Sequence, residues 1–149
     1  MPCWRQFKWA AHAFTGMPVP RYRRIALRGL VAAVVAALLN AVLVPVARTL
    51  AIAPGFEPIA YPPVVFLTVL GVLAGTAVFA AVTRLSTTPG AHFTQLAMVA
   101  LALSVVPDLL LLFADENATI PGVLVLVLMH VVAAVVAVRV LVRGVGGQG

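Results

Sequence analysis

Four stretches of this chain, Ile25 to Ala47, Val64 to Thr83, Phe93 to Phe113 and Ile120 to Val138, contain only Arg28 and Asp108 as charged residues. At about 1.5 Å per helical residue, each is long enough to cross a hydrocarbon layer of roughly 30 Å. In lipid, backbone amides have no water to pair with, so a crossing segment must satisfy its own hydrogen bonds. The two-residue alternation of a barrel strand is absent, which leaves the helix. Composition agrees: 63% of residues are hydrophobic and 9% charged, with a mean hydropathy of +1.13, too little charge to cover a water-soluble surface. The fold expected is all-α, an integral membrane bundle of four transmembrane helices.

Lys and Arg resist translocation more than acidic groups do, so their distribution orients the bundle. Arg5, Lys8, Arg21, Arg23, Arg24 and Arg28 lie at or before the start of the first span, Arg84 between the second and third, and Arg139 and Arg143 after the fourth; only Arg48 falls on the opposite side. This bias predicts an up-down-up-down order with both termini cytoplasmic, and short connections favour antiparallel neighbours. The net charge of +6 then belongs to a rim facing an anionic inner leaflet, so the partner expected is lipid and no nucleic acid. A lone cysteine, Cys3, rules out an internal disulfide and a cysteine metal cluster.

Three parts are expected: a basic leader over 1–24, the transmembrane domain over 25–143, and a Gly-rich tail over 144–149. In the leader, Trp4, Phe7, Ala11 and Phe14 recur at helical spacing. An amphipathic interface helix, a disordered tail, and an initiation at Met17 that leaves every span intact all fit it. The first external loop carries Pro54, Pro58, Pro62 and Pro63, which forbid continuous helix and predict an extended path capping the bundle, with Phe56 and Tyr61 at headgroup level. Pro89-Gly90 is read as a turn in the inner loop.

Small residues at helical spacing mark contact faces in lipid. Gly71 and Gly75 make a GxxxG pattern, read first as a crossing inside the bundle and second as the seam of a homo-oligomer. Asn40 shares a stripe with Ala33, Ala36 and Ala37, and His130 shares one with Ala133, Ala134 and Ala137, so both side chains are expected to face protein. Pro107 cannot donate to the carbonyl of Leu103 and predicts a kink, and that carbonyl and the carboxylate of Asp108 both need a sheltered polar setting. By helical rise, Asp108, Asn40 and His130 lie about 8, 10 and 15 Å below the external ends of their spans. Arg48, at the exit of the first span, has the reach to join them. The expectation is therefore one intramembrane cluster of Asn40, Arg48, Asp108 and His130, in which an ion pair keeps Asp108 charged and isolation leaves it neutral.

The segments "LLNAVLVPVAR", "YPP" before the glycine-bearing span, "SVVPDLLLL" and "LMHVVAA" resemble an uncharacterised, mainly actinobacterial family of small four-span membrane proteins, classed as a domain of unknown function. The similarity covers about Arg24 to Arg143, and Asn40, Arg48, Asp108 and His130 match its polar positions. It implies the four-helix fold and a plasma-membrane location, and brings no activity, substrate or cofactor. From the residues, the role expected is structural or interactive, with the polar cluster fastening helices. The alternative is transport of a proton, ion or small solute by Asp108 and His130. An intramembrane enzyme is the remote option. There is no HExxH, no second intramembrane carboxylate and no serine-centred elbow, and His12, His92 and His130 lie on separate segments, so neither metal nor cofactor is expected.

Overall fold

The computed structural model describes residues 21–143. The leader up to residue 20, including the stripe from Trp4 to Phe14 and Cys3, and the tail from residue 144 lie outside the described residues. Four helices follow one another: α1 (Arg21–Thr49), α2 (Tyr61–Leu85), α3 (Pro89–Ala114) and α4 (Ile120–Val142), with a 3-10 turn at Glu57–Ile59 between α1 and α2. All four are long and apolar enough to cross a membrane, and the protein is a helical membrane protein.

The helices overrun the expected spans, and the prolines explain much of the excess. Pro62 and Pro63 were expected in an extended loop and Pro89 in a turn, yet each lies in the first turn of a helix, as does Pro121. There the missing amide has no intrahelical partner to lose, and the fixed φ is already helical, so proline starts a helix that it would break further along. α3 continues through Pro107 as one element from Pro89 to Ala114.

α1 is the axis of the bundle. Ala33, Ala36, Asn40, Val44 and Ala47 recur every three or four residues, with Ala32 beside the first, and all are buried. With side chains this small, α2 and α4 come close, and Val72 and Ala137 complete the middle of the core. Gly29 belongs to the same seam: a Cβ there would collide with the side chain of Thr76 on α2. α3 is held differently. Only 6% of its apolar window is buried, against 39% for α1. It touches α2 near its own start, where Phe93 meets Phe79 edge to face with ring centroids 5.0 Å apart, beside Ile25 and Leu141.

The connection between α1 and α2 is a plug. Ala53, Phe56 and Ile59 are buried among Val44, Val64, Leu126 and Met129. Phe56, expected at headgroup level, is core instead because the chain doubles back over the helix ends. That path puts Ala51, Ala53 and Gly55 at positive φ, at a cost of about 1 kcal/mol or more for each alanine. Gly122 at the start of α4 accepts the plug, since a Cβ there would stand 2.7 Å from that of Ala53. We call this the acidic end, after Glu57, Asp115 and Glu116. At the basic end, Arg84 on α2 donates from Nε to the Tyr22 hydroxyl of α1 at 2.9 Å and stacks 4.4 Å from its ring centroid.

Candidate functional site

Asn40 is the most deeply placed polar side chain of α1, 1% exposed. The alanines on its stripe bring two helices within reach of its amide: Nδ2 donates to Oγ1 of Thr68 on α2 at 3.0 Å and to the Met129 carbonyl on α4 at 3.1 Å. One side chain thus joins three helices. Its Oδ1 is buried and receives no hydrogen bond. The other intramembrane hydroxyls are satisfied within their own helices, Thr76 by the Val72 carbonyl and Ser104 by the Leu101 carbonyl.

Asp108 and His130 meet across α3 and α4, with Nδ1 of the imidazole 3.1 Å from Oδ2 of the carboxylate. The same nitrogen lies 2.9 Å from the Leu126 carbonyl one turn earlier on α4. Only one proton fits between Nδ1 and these two oxygens. The contact to Oδ2 is one of charge and proximity, because that oxygen has no aligned hydrogen-bond donor. The Asp108 side chain is 10% exposed and that of His130 43%, so the pair has one sheltered and one open member.

The open side is a groove of about 900 Å³. Its walls come from α2, α3 and α4, its floor includes Asn40, and Asp108, His130 and Ser104 line it with Glu57 toward the acidic end. Elsewhere the lining is apolar, leucines such as Leu67 and Leu96 alternating with small residues, Gly71 and Gly75 on one side and Ala97 and Ala100 on the other. The GxxxG pattern therefore makes no crossing within the chain: a Cβ on either glycine would have nothing within 4 Å. α2 and α3 touch at Phe79 and Phe93 and stand apart beyond them, and the glycines face that gap.

Arg48 does not join the cluster. Its guanidinium lies 5.5 Å from the Tyr61 ring centroid and lines a separate cleft, about 440 Å³, formed by the plug itself. The plug puts an aromatic face closer to the helix exit than the carboxylate, and a cation at an aqueous edge keeps its hydration there. The expected cluster of Asn40, Arg48, Asp108 and His130 thus resolves into a three-helix tie at Asn40, a pair at Asp108 and His130 that shares the groove with it, and a separate cation at Arg48. Thr68, Gly29 with Thr76, and Glu57 were not singled out for these roles. Thr68 sits one turn before Gly71 on the small-residue stripe, which is the signal that marks it. Among the described residues no three His, Cys, Asp or Glu side chains are grouped to hold a metal ion.

A membrane bundle with a polar pair in a side groove defines a class of protein but no chemistry. Residues 20–146 match the model of DUF6069, a family of unknown function, and the chain belongs to that family. No curated protein and no solved structure matches it.

Proposed function

We propose that the protein is a non-catalytic interaction protein of the plasma membrane that receives a membrane-resident guest in the groove between α2 and α3. The bundle runs up-down-up-down with both termini cytoplasmic. This orientation is supported by Arg84, Arg139 and Arg143 following or ending helices on one side while Arg48 alone falls on the other. Within it, Asn40 fastens α1, α2 and α4, and the groove is the interacting surface.

One observation carries the proposal: Gly71 and Gly75, on a face that packs closely in most helix pairs, border about 900 Å³ that no side chain fills. An open apolar groove of that size beside a sheltered carboxylate has the form of a site for a largely apolar guest with one polar group. The test is native mass spectrometry of the protein released from lipid nanodiscs. Wild type is expected to retain a small-molecule adduct that Gly71→Leu/Gly75→Leu loses while remaining folded. If wild type retains none, or the filled variant retains it equally, the groove is not the interacting surface.

Transport is the second reading, favoured by the 3.1 Å contact of Asp108 with His130, since a carboxylate and an imidazole at that depth can exchange a proton. Its signature is a pH-dependent flux in vesicles that Asp108→Asn and His130→Ala abolish with the protein still abundant. No flux from wild type leaves the interaction reading alone.

A further inference from the structure

The groove's polar atoms are unbalanced, and the imbalance identifies its guest. Two carboxylates line it, Asp108 and Glu57, and so does Asn40, whose buried Oδ1 has no donor. Oδ2 of Asp108 has none in alignment either. On the donor side stands His130, whose Nδ1 is shared between the Leu126 carbonyl at 2.9 Å and Oδ2 of Asp108 at 3.1 Å. No Lys or Arg lines the groove; Arg48 stands over Tyr61 in the other cleft, whose lining Glu57 shares. A phosphate or carboxylate head would face these acids with no Lys or Arg on the walls, and a plain hydrocarbon would bring the Asp108 carboxylate no counter-charge in a low-dielectric setting.

Shape narrows the choice. The α2 wall runs from Pro63 to Val78, about 22 Å at helical rise. The acids lie toward one end, and the far end is closed by Phe93 against Phe79. Between them the walls are apolar, Gly71, Gly75, Ala97 and Ala100 lying among leucines and valines.

We infer that the groove binds a single-chain amphiphile with a cationic amine head, its ammonium against Asp108 with Glu57 at the entrance, and its alkyl chain along the Gly71–Gly75 track toward Phe93. This rests on the groove being the interacting surface. The ammonium gives the Asp108 carboxylate a counter-charge on a wall that carries no Lys or Arg, and the chain fills the space along the glycines. The zwitterionic head of a bilayer phospholipid would bring its phosphate to the same acids, so lipid is the background and not the guest.

The experiment compares three probes of equal chain length, dodecylamine, dodecanol and dodecanoate, binding to the full chain in nanodiscs of neutral lipid. Dodecylamine is expected to bind about tenfold or more tightly than dodecanol, in line with a charge-assisted hydrogen bond in place of a neutral one, and dodecanoate more weakly than either. Asp108→Asn should remove most of the amine's advantage and leave the alcohol unchanged. Glu57→Gln, at an exposed position where folding is not in question, should cost the amine about threefold or less, as a screened charge does. Equal binding of the three heads, or preference for the carboxylate, overturns the amine assignment. If that binding still disappears in Gly71→Leu/Gly75→Leu, the groove survives as the interacting surface. If the filled variant binds all probes as wild type does, the groove itself fails. Should Asp108→Asn not accumulate, the comparison of heads on wild type and on Glu57→Gln decides.

Discussion

α1 and α3 are both apolar enough to span a membrane, but their neighbours treat them differently. α1 is lined with alanines, and Gly29 brings it so close to α2 that no Cβ fits, while Asn40 ties it to both partners. α3 has few such residues facing protein. It packs along α4, where Asp108 meets His130, but it meets α2 near Phe93 and stands apart from it beyond that point. Lipid offers helices no hydrophobic drive to associate, so close packing and polar contacts decide which pairs seal. Where both are present the bundle is solid. Where α2 and α3 meet at one end alone, a groove remains.

Substitutions can break or sharpen that contrast. The largest effect is expected from Gly29→Leu, which forces a branched side chain into Thr76: about 3 kcal/mol of destabilisation, read as loss of accumulation and a lower melting temperature in detergent. Next is Phe93→Ala, about 2 kcal/mol, since it removes the aromatic contact that holds α3 to α2. Its distinctive sign would be new proteolysis between Ser86 and Thr88 while α1 and α2 stay protected. Asn40→Ala should cost about 1 to 2 kcal/mol, the worth of its two interhelical hydrogen bonds less the relief of an unpaired Oδ1. His130→Ala should cost well under about 1 kcal/mol, because its contact with Asp108 is unaligned and half open. Equal losses from Asn40→Ala and His130→Ala would erase the distinction between the tie and the groove.

Much of the architecture was legible in the chain, because span length and apolarity report directly on a solvent that tolerates only self-satisfied backbone. Asn40 could be assigned to a protein-facing stripe because alanines at three, four and seven residues mark a helix face, whereas the same pattern at His130 marks a face that leaves the imidazole 43% exposed to the groove. The misses share a cause. Gly71 and Gly75 form the same pattern whether they meet a helix or a gap, and spacing alone does not reveal which. The direction of Arg48 depended on where the plug carried Tyr61. Pro62, Pro63 and Pro89 read as breakers because a proline's effect is set by its place relative to the helix start. Phe56 was drawn to the interface by its type, but its burial follows from the left-handed turns at Ala51 and Ala53, which alanine does not advertise.

The gap between α2 and α3 can be measured most directly with cysteine pairs in native membranes, Cys3 being replaced by serine, and a short bis-methanethiosulfonate cross-linker. A pair at positions 79 and 93 is expected to link, because those side chains touch. A pair at 75 and 97, about one turn away on each helix, is expected to stay unlinked while each thiol reacts with a membrane-permeant maleimide. Efficient linkage of 75 to 97 would mean that α2 and α3 close along their length and that no groove exists.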